Sequence, residues 1–510
     1  MGKTFREASL ILGICAGGLA TKIAFMLTSQ RTLDGDEAIV GLMARHVQQG
    51  ISHPLFFYGQ SYDAGSGILA HAAGLSQSDG ISVLSLKVLA LVIWIGMTAM
   101  AAHIVHAWAG WRAAAWTAAL IVWAPTSVEW ATKVRGGYML ALVFMLIAIA
   151  LALRGSSAFT MGVCAAAAAW CQPSSLPVVA VVCSWMVVMW MRKRQWVNAA
   201  VLAGAVVAAS IVPVIVLRTT GSSWSWQAFA GANTRREPLF LLETILPGLF
   251  TPNLDWSIPP AAAWVQAIGV LWLVVAVATF VIAVAAIRRN WAPAQVQPAL
   301  ALVLTATAAA ATAMFIVDTR YVRPRVLLPL YPLACMTMAV VLASWRQRTG
   351  SLVPVLIFGS LIVSGAAVHA ASFGPPSIHG AGDQEQRLPA SIVEAMVTDL
   401  DRHHVRCVFS ESPTLQWNLI FSSHERIAAR WITARDRWQP YVERVNAAFL
   451  AGERCALLLR TWPGDARLAS LRTHFGEGSD QLTVLGERFA LLYDPPRSVI
   501  TRVFERDGGW

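Results

Sequence analysis

The sequence predicts an all-α polytopic membrane bundle followed by a C-terminal extracytoplasmic α/β domain. Three observations carry this. Apolar residues make up 56% of the 510 residues and charged residues 13%, with mean hydropathy +0.56; soluble chains carry roughly a quarter charged residues. The apolar residues fall in runs long enough to cross a bilayer. Past residue 371 the pattern changes to short alternating helical and extended stretches with charges of both signs.

The apolar runs give eleven candidate helices: 8–27, 81–107, 113–128, 137–153, 158–172, 175–191, 196–217, 261–287, 298–317, 324–345 and 352–371. The first reads as a membrane helix rather than a cleaved signal peptide, because it lacks a small-x-small cleavage site. Lys22 within it is expected to snorkel outward. In the fifth, the run Ala165 to Ala169 lets neighbouring helices approach closely. Lys3 and Arg6 precede the first helix. Arg112, Arg154, Arg192-Lys193-Arg194, Arg288-Arg289 and Arg346 with Arg348 fall in every second connection. That bias places the N-terminus in the cytoplasm and the C-terminal domain outside. The expected domains are 1–371, with outer loops 28–80 and 218–260, and 372–510, entered through Ser372-Phe373-Gly374-Pro375-Pro376.

The net charge of +11 does not point to nucleic acid. Residues 372–510 carry 16 Arg against 17 acids, so the excess lies in the first 371 residues, much of it in short loops. No nucleic-acid partner is expected. The tail reads as helices at 391–403, 415–421, 437–450 and 465–475, with extended segments at 405–409, 427–432, 455–459, 482–485 and 488–493. It holds no Gly-rich phosphate loop and no nucleophile elbow. Five of the seven cysteines lie in apolar runs. Cys407 and Cys455 lie in the tail without zinc-type spacing, which leaves a disulfide between them open if the tail faces an oxidising compartment.

Polar chemistry collects in the first outer loop, Leu33-Asp34-Gly35-Asp36-Glu37-Ala38. Its acids open an amphipathic helix with Ile39, Leu42, Met43, His46 and Val47 on one stripe. Asp34 or Asp36 would N-cap that helix, and acids suit its first turn. Capping accounts for one acid better than for three. The loop continues Pro54-Leu55-Phe56-Phe57-Tyr58-Gly59-Gln60-Ser61-Tyr62-Asp63-Ala64-Gly65, which suits either an interfacial belt or a groove for a lipid head group and a sugar. Basic residues recur on the outer side against the charge bias: Lys133 and Arg135 beside Tyr138, and Arg320, Arg323 and Arg325 around Tyr321. Arginine there can hold a phosphate bidentately.

These segments resemble the GT-C superfamily of integral membrane glycosyltransferases, in particular its bacterial protein-mannosyltransferase-like and aminoarabinose-transferase-like branch. The resemblance rests on Asp36-Glu37-Ala38 with Phe56-Phe57-Tyr58-Gly59-Gln60-Ser61-Tyr62, then Arg135-Gly136-Gly137-Tyr138. It continues at Arg320-Tyr321, Leu327-Leu328-Pro329-Leu330-Tyr331-Pro332 and Arg437-Trp438-Gln439-Pro440-Tyr441-Val442-Glu443-Arg444-Val445. Where the family pattern has Gly-x-Leu-Glu, this chain has Asp63-Ala64-Gly65-Ser66-Gly67-Ile68-Leu69, and Asp63 is the nearest carboxylate.

The resemblance implies a polyprenyl-phosphate sugar donor bound within the membrane. Its glycosyl group would pass, with inversion, to an outer glycan, lipid or protein acceptor. Asp36 would act as general base, with Asp34 and Glu37 orienting the acceptor or tuning it. Arg135, Arg320, Lys133 and Arg323 would hold the donor phosphate. Tyr58, Gln60, Tyr62, Asp63, Tyr138 and Tyr321 would line the groove. Some members of the superfamily use a divalent cation, Mg or Mn, and clustered acids could hold one. The implied location is the bacterial inner membrane among membrane lipids, with a periplasmic C-terminal domain. Two other readings compete. A lipid-linked glycan flippase would need charges deep in several helices and repeat symmetry, and the sequence shows few of the former and no repeat. A catalytically inactive envelope scaffold would be consistent with the missing Glu.

Overall fold

The computed structural model describes residues 2–28, 33–60, 62–77, 80–219, 246–252, 262–291, 293–316, 324–373, 390–431, 436–461, 465–475, 480–485 and 489–504. Its contacts divide the chain into two compact units. One is Met1–Thr28, Ser61–Leu69 and Ser85–Asp383; the other is Ser29–Gln60, Ala70–Leu84 and Gln384–Trp510. Much of the first long outer loop thus clusters with the C-terminal segment.

The helices are α1 (Gly2–Thr28), α2 (Gly35–Gln48), α3 (Ala64–Ser76), α4 (Val83–Trp123), α5 (Ser127–Trp130), α6 (Gly136–Arg154) and α7 (Ala158–Cys171). They continue with α8 (Leu176–Arg192), α9 (Trp196–Thr219), α10 (Ala263–Arg288), α11 (Gln297–Ile316), α12 (Leu330–Thr349) and α13 (Val353–Ala371). Each of the eleven apolar windows overlaps a helix. Among the described residues, seven helices are long and apolar enough to cross a membrane, so the chain is a multi-pass membrane protein. α4 breaks at Gly110, whose φ of 83° has left-handed character that a side chain would resist, which separates the second and third windows. The third helix stops at Trp123, ahead of Pro125, rather than running to 128. The segment from Pro324 begins as a 3-10 turn, Pro324–Leu327, before α12.

The bundle core includes Met97, Leu120, Met145, Leu302, Met336 and Leu361, all buried. α7 packs closely on α6 and α9, as its run of alanines predicts. A Cβ on Gly162 would sit 2.8 Å from both the Leu202 carbonyl oxygen and the Ala205 Cβ, so small residues set this spacing. Lys22 does not snorkel. It is buried, donates to the Val122 carbonyl at 2.9 Å and lies 2.9 Å from His369 Nδ1 on α13. Its four-carbon stem would reach lipid, but these internal acceptors satisfy the ammonium better.

The second unit carries the sheet: α14 (Ala390–Arg402), β1 (Cys407–Ser410), α15 (Leu415–Ser422), β2 (Ala428–Trp431), α16 (Gln439–Leu450), β3 (Cys455–Arg460), α17 (Ala466–Phe475), β4 (Leu482–Leu485), β5 (Phe489–Tyr493) and α18 (Arg497–Phe504). Strand order is β2-β1-β3-β5-β4. β1 pairs in parallel with β2 and β3; β5 pairs antiparallel with β3 and β4. The parallel pairs need crossovers, and α15 and α16 supply them. Parallel strands covered on both faces read as continuous apolar runs, and β3 is buried from Cys455 to Leu459. Cys407 and Cys455, register partners on β1 and β3, are joined by a disulfide.

Candidate functional site

In the second unit, the acidic turn is built from a capping box. Asp34 is the N-cap of α2, and its carboxylate accepts the Glu37 N–H at 2.8 Å. The Glu37 carboxylate accepts the Asp34 N–H at 2.9 Å. Two of the three acids therefore satisfy otherwise orphaned helix-end donors. Both are buried, whereas Asp36 is half-buried beside them and takes no part in the box. Gly35 is required by its neighbour: a Cβ there would lie 2.7–2.8 Å from atoms of Thr414.

α2 does not have the polar outer face its stripe suggests. Residues 37–47 are buried on every side. One side packs on α15 and another on the end of α3, where a Cβ on Gly74 would lie 2.6 Å from the Ala44 carbonyl oxygen. The polar residues of its last turn consequently need internal partners. His46 Nε2 lies 3.1 Å from the Glu425 carboxylate, and its Nδ1 lies 2.8 Å from the Tyr58 hydroxyl. An ionised carboxylate only accepts, so it fixes the imidazole proton on Nε2 and leaves Nδ1 to accept from Tyr58. Tyr441 donates to the same carboxylate at 2.9 Å. Arg45 donates to Glu425 at 3.5 Å and to the Phe421 carbonyl at 3.3 Å.

Burial by itself would raise the Glu425 carboxyl. The hydrogen bonds from His46 and Tyr441 and the Arg45 charge outweigh burial and hold it below its ordinary value. Burial likewise pushes the Tyr58 hydroxyl up to about 12 and the Tyr441 hydroxyl well upward.

The aromatic segment of the loop lies against the same part of the unit. Tyr58 stacks on Trp438 with centroids 4.3 Å apart, and Arg437 stands 5.1 Å over the Phe57 ring. Gly59 has φ 66°, and a Cβ there would meet the Arg437 Cα at 2.9 Å. Tyr58 is thus buried within a polar network, while Gln60 is half-buried at the turn's end.

In the first unit, the remaining candidates gather at the N-terminus of α6. Asp63 is buried at φ 67°, a left-handed conformation that Asp tolerates better than most residues. Its carboxylate accepts the Ser66 N–H and the Ser66 hydroxyl, each at 2.9 Å, which caps α3. Gly65, Gly136 and Gly137 bring the α3 and α6 backbones together. A Cβ on Gly137 would overlap the Asp63 carboxylate, and one on Gly136 would overlap the Gly65 carbonyl. Arg135, buried, is the N-cap residue of α6. Lys133 is buried in an ion pair with Glu129 at 2.5 Å and lies 5.6 Å over the Trp130 ring. Trp130 meets Tyr138 edge-on at 5.4 Å, and Arg325 lies 5.8 Å over Tyr138. Tyr62 is half-buried. Arg320, Tyr321 and Arg323, and most of loop 218–260, lie outside the described residues.

Among the described residues, no three His, Cys, Asp or Glu side chains come together as a metal site. In the acidic turn, Asp34 and Glu37 each give one carboxylate oxygen to the capping box. Sequence reasoning missed His46, Glu425, Tyr441, Glu129 and Trp130 as parts of these clusters. Glu425 gave no signal, since its His46 partner lies 379 positions away. Charged residues on an otherwise apolar α2 were the available clue.

No family model matches the sequence, and no curated protein matches it. Solved structures do. The crystal structure of ArnT from Cupriavidus metallidurans bound to undecaprenyl phosphate matches with TM-score 0.58 at 13% identity, over 96% of this chain and 98% of that one. Apo ArnT matches with TM-score 0.57 at 14% identity, over 95% and 98%. The apo Archaeoglobus fulgidus oligosaccharyltransferase gives TM-score 0.48 at 11% identity, over 88% and 69%. Over nearly all of its length the chain therefore shares the fold of ArnT.

Proposed function

We propose that this chain is a membrane glycosyltransferase that moves a sugar from a polyprenyl-phosphate donor to an extracytoplasmic acceptor, with inversion. The observation that carries this reading is the fold shared over nearly the whole of both chains with ArnT, whose structure holds undecaprenyl phosphate. The arrangement of acids supports Asp36 as the base. Asp34 and Glu37 stiffen the turn and leave Asp36 outside the capping box. Arg135 at the start of α6 suits a phosphate, because a helix N-terminus and a guanidinium both favour negative charge.

In this mechanism an acceptor hydroxyl gives its proton to the Asp36 carboxylate. Its oxygen attacks the anomeric carbon as the bond from that carbon to the phosphate oxygen breaks. The electron pair leaves with polyprenyl phosphate, whose growing charge Arg135 stabilises, with Arg320 and Arg323 assigned as further cations. Lys133, paired with Glu129, is assigned to the donor phosphate with them. Tyr138, Tyr62 and Gln60 contact the sugar or head group. The disulfide and the basic loops support a bacterial inner-membrane location with the C-terminal domain in the periplasm.

The test uses purified protein in lipid with a panel of radiolabelled polyprenyl-phosphate sugars and an envelope acceptor fraction. Wild type should transfer label, and Asp36→Asn, correctly folded, should lose about 10²–10⁴-fold in rate. Full activity in Asp36→Asn would remove Asp36 from the mechanism. No transfer by folded wild type from any donor would count against the whole reading.

A further inference from the structure

The network at the C-terminal end of α2 has no part in the chemistry proposed above, yet it is among the most elaborate polar clusters in the second unit. We infer that Glu425, with His46, Tyr441, Tyr58 and Arg45, is a positioning device that sets the placement of α2 and, through it, of Asp36. The inference rests on the transferase reading for its catalytic consequence, and on the fold alone for its mechanical part.

The geometry is that of a rod held at both ends. At the N-terminus of α2, Gly35 presses on Thr414, the N-cap of α15. At its C-terminus, Arg45 donates to the carbonyl of Phe421 in the last turn of α15, and Glu425 just beyond accepts from His46 and Arg45. The two helices therefore lie side by side in parallel. α15 is itself the crossover between β1 and β2, so the sheet fixes α15 and α15 fixes α2. From Asp36 to His46 is ten residues, about 15 Å of helix, over which an α-helix is stiff. A shift at the His46 end is passed to the acidic turn rather than absorbed along the way.

The partners also explain a segment that the sequence singled out without assigning it work. Trp438 stacks on Tyr58, Arg437 covers Phe57 and Tyr441 donates to Glu425. The loop from Phe57 to Tyr58 is thereby locked to the start of α16, and Tyr58 in turn donates to His46. Four separate stretches of chain converge on one carboxylate and one imidazole. Hydrophobic packing holds a helix against its neighbour but lets it slide by fractions of an ångström. Directional hydrogen bonds to a single carboxylate do not. Burying so many polar groups adds little net stability, and its structural return is a fixed placement.

The experiment compares wild type with Glu425→Ala, Glu425→Gln and Tyr441→Phe. Tyr441→Phe removes a single hydroxyl and keeps the ring, so it serves if Glu425→Ala does not fold. Hydrogen exchange of the α2 amides is measured without donor, alongside kcat and KM for the donor. Glu425→Ala should speed α2 exchange and lower kcat by about tenfold to a hundredfold, with KM within about twofold, the cost of a small misplacement of a reacting group. Tyr441→Phe should do the same in smaller degree. Glu425→Gln, which still accepts hydrogen bonds, should recover part of the loss.

Unchanged α2 exchange in both Glu425→Ala and Tyr441→Phe would overturn the inference. So would faster exchange with unaltered kcat, which would leave the network a structural anchor only. A folded wild type that transfers nothing would instead sink the functional reading and the catalytic consequence with it. The exchange arm separates these cases because it needs no donor.

Discussion

The Glu425 carboxylate shows how one residue records its surroundings in its protonation. Burial pushes the group toward the neutral form, and the His46, Tyr441 and Arg45 contacts pull it back past its ordinary value of 4.5. Its folded pKa is therefore depressed. A group of this sign contributes stability that is fully present above the unfolded value and is lost as pH falls through the folded one. The second unit should consequently weaken below pH 4.5, and Glu425 should account for part of the loss. We expect the stability gap between wild type and Glu425→Gln to be widest near neutrality and to narrow as pH drops below that point. Denaturant unfolding at a series of pH values reads this directly. Two curves that stay parallel from pH 7 to pH 3 would mean that Glu425 is not the group titrating. Asp34 and Glu37 act at the same scale by another route. Each carboxylate replaces water at a backbone N–H that the helix cannot satisfy itself, so their charges serve the turn on which Asp36 stands.

At the scale of elements, the meeting of α3 and α6 depends on glycine. Gly65 and Gly136 bring their backbones into direct contact, and Gly137 leaves room for the Asp63 carboxylate and for the Cys171 carbonyl, which a Cβ would approach to 2.8 Å. Backbone cannot move aside as a flexible side chain can. Gly137→Ala should cost about 1–3 kcal/mol through overpacking and should displace Arg135, two residues away. Gly96 in α4 and Gly204 in α9 have nothing within 4 Å of an added Cβ. Alanine at either should be neutral or stabilise by up to about 1 kcal/mol, the ordinary gain in helix propensity. Thermal unfolding in detergent separates the two classes. Equal tolerance of alanine at Gly137 and Gly96 would refute the close contact. These glycines were visible in the sequence as Arg135-Gly136-Gly137-Tyr138, but what they meet was not, because Asp63 and Gly65 sit on a different helix. The same limit hid the fate of α2. Its spacing reports a stripe of Ile39, Leu42, Met43 and His46, and this much is correct. One side of it is covered by α15, a helix nearly four hundred positions later, and no local pattern encodes that.

Over the whole molecule, long-period patterns proved more legible than side-chain partnerships. Apolar runs located the helices, and alternation in the tail located the five strands among the described residues within about two residues, the usual uncertainty of element ends. Lys22 was misread because hydropathy measures how a segment suits lipid and is blind to which carbonyl or imidazole a lysine will find inside. The disulfide lies between these extremes. Two tail cysteines invite a bridge only if the tail faces an oxidising space, where the orientation proposed from the basic loops puts it. The structure pairs Cys407 with Cys455 across adjacent strands, closing a loop of 48 residues in sequence. The other five cysteines are free. Protein taken from membranes, acid-quenched, unfolded and alkylated should therefore label five cysteines without reductant and seven with it. Cys407→Ser with Cys455→Ser should lower the stability of the second unit by about 2–4 kcal/mol, since a bridge over a loop this long restricts the unfolded chain. Seven labelled cysteines before reduction would place the tail in a reducing compartment and reverse the proposed orientation of the bundle. Five before reduction, with the loss of stability confined to the sheet, would tie the topology read from the loops to a covalent bond in the folded domain.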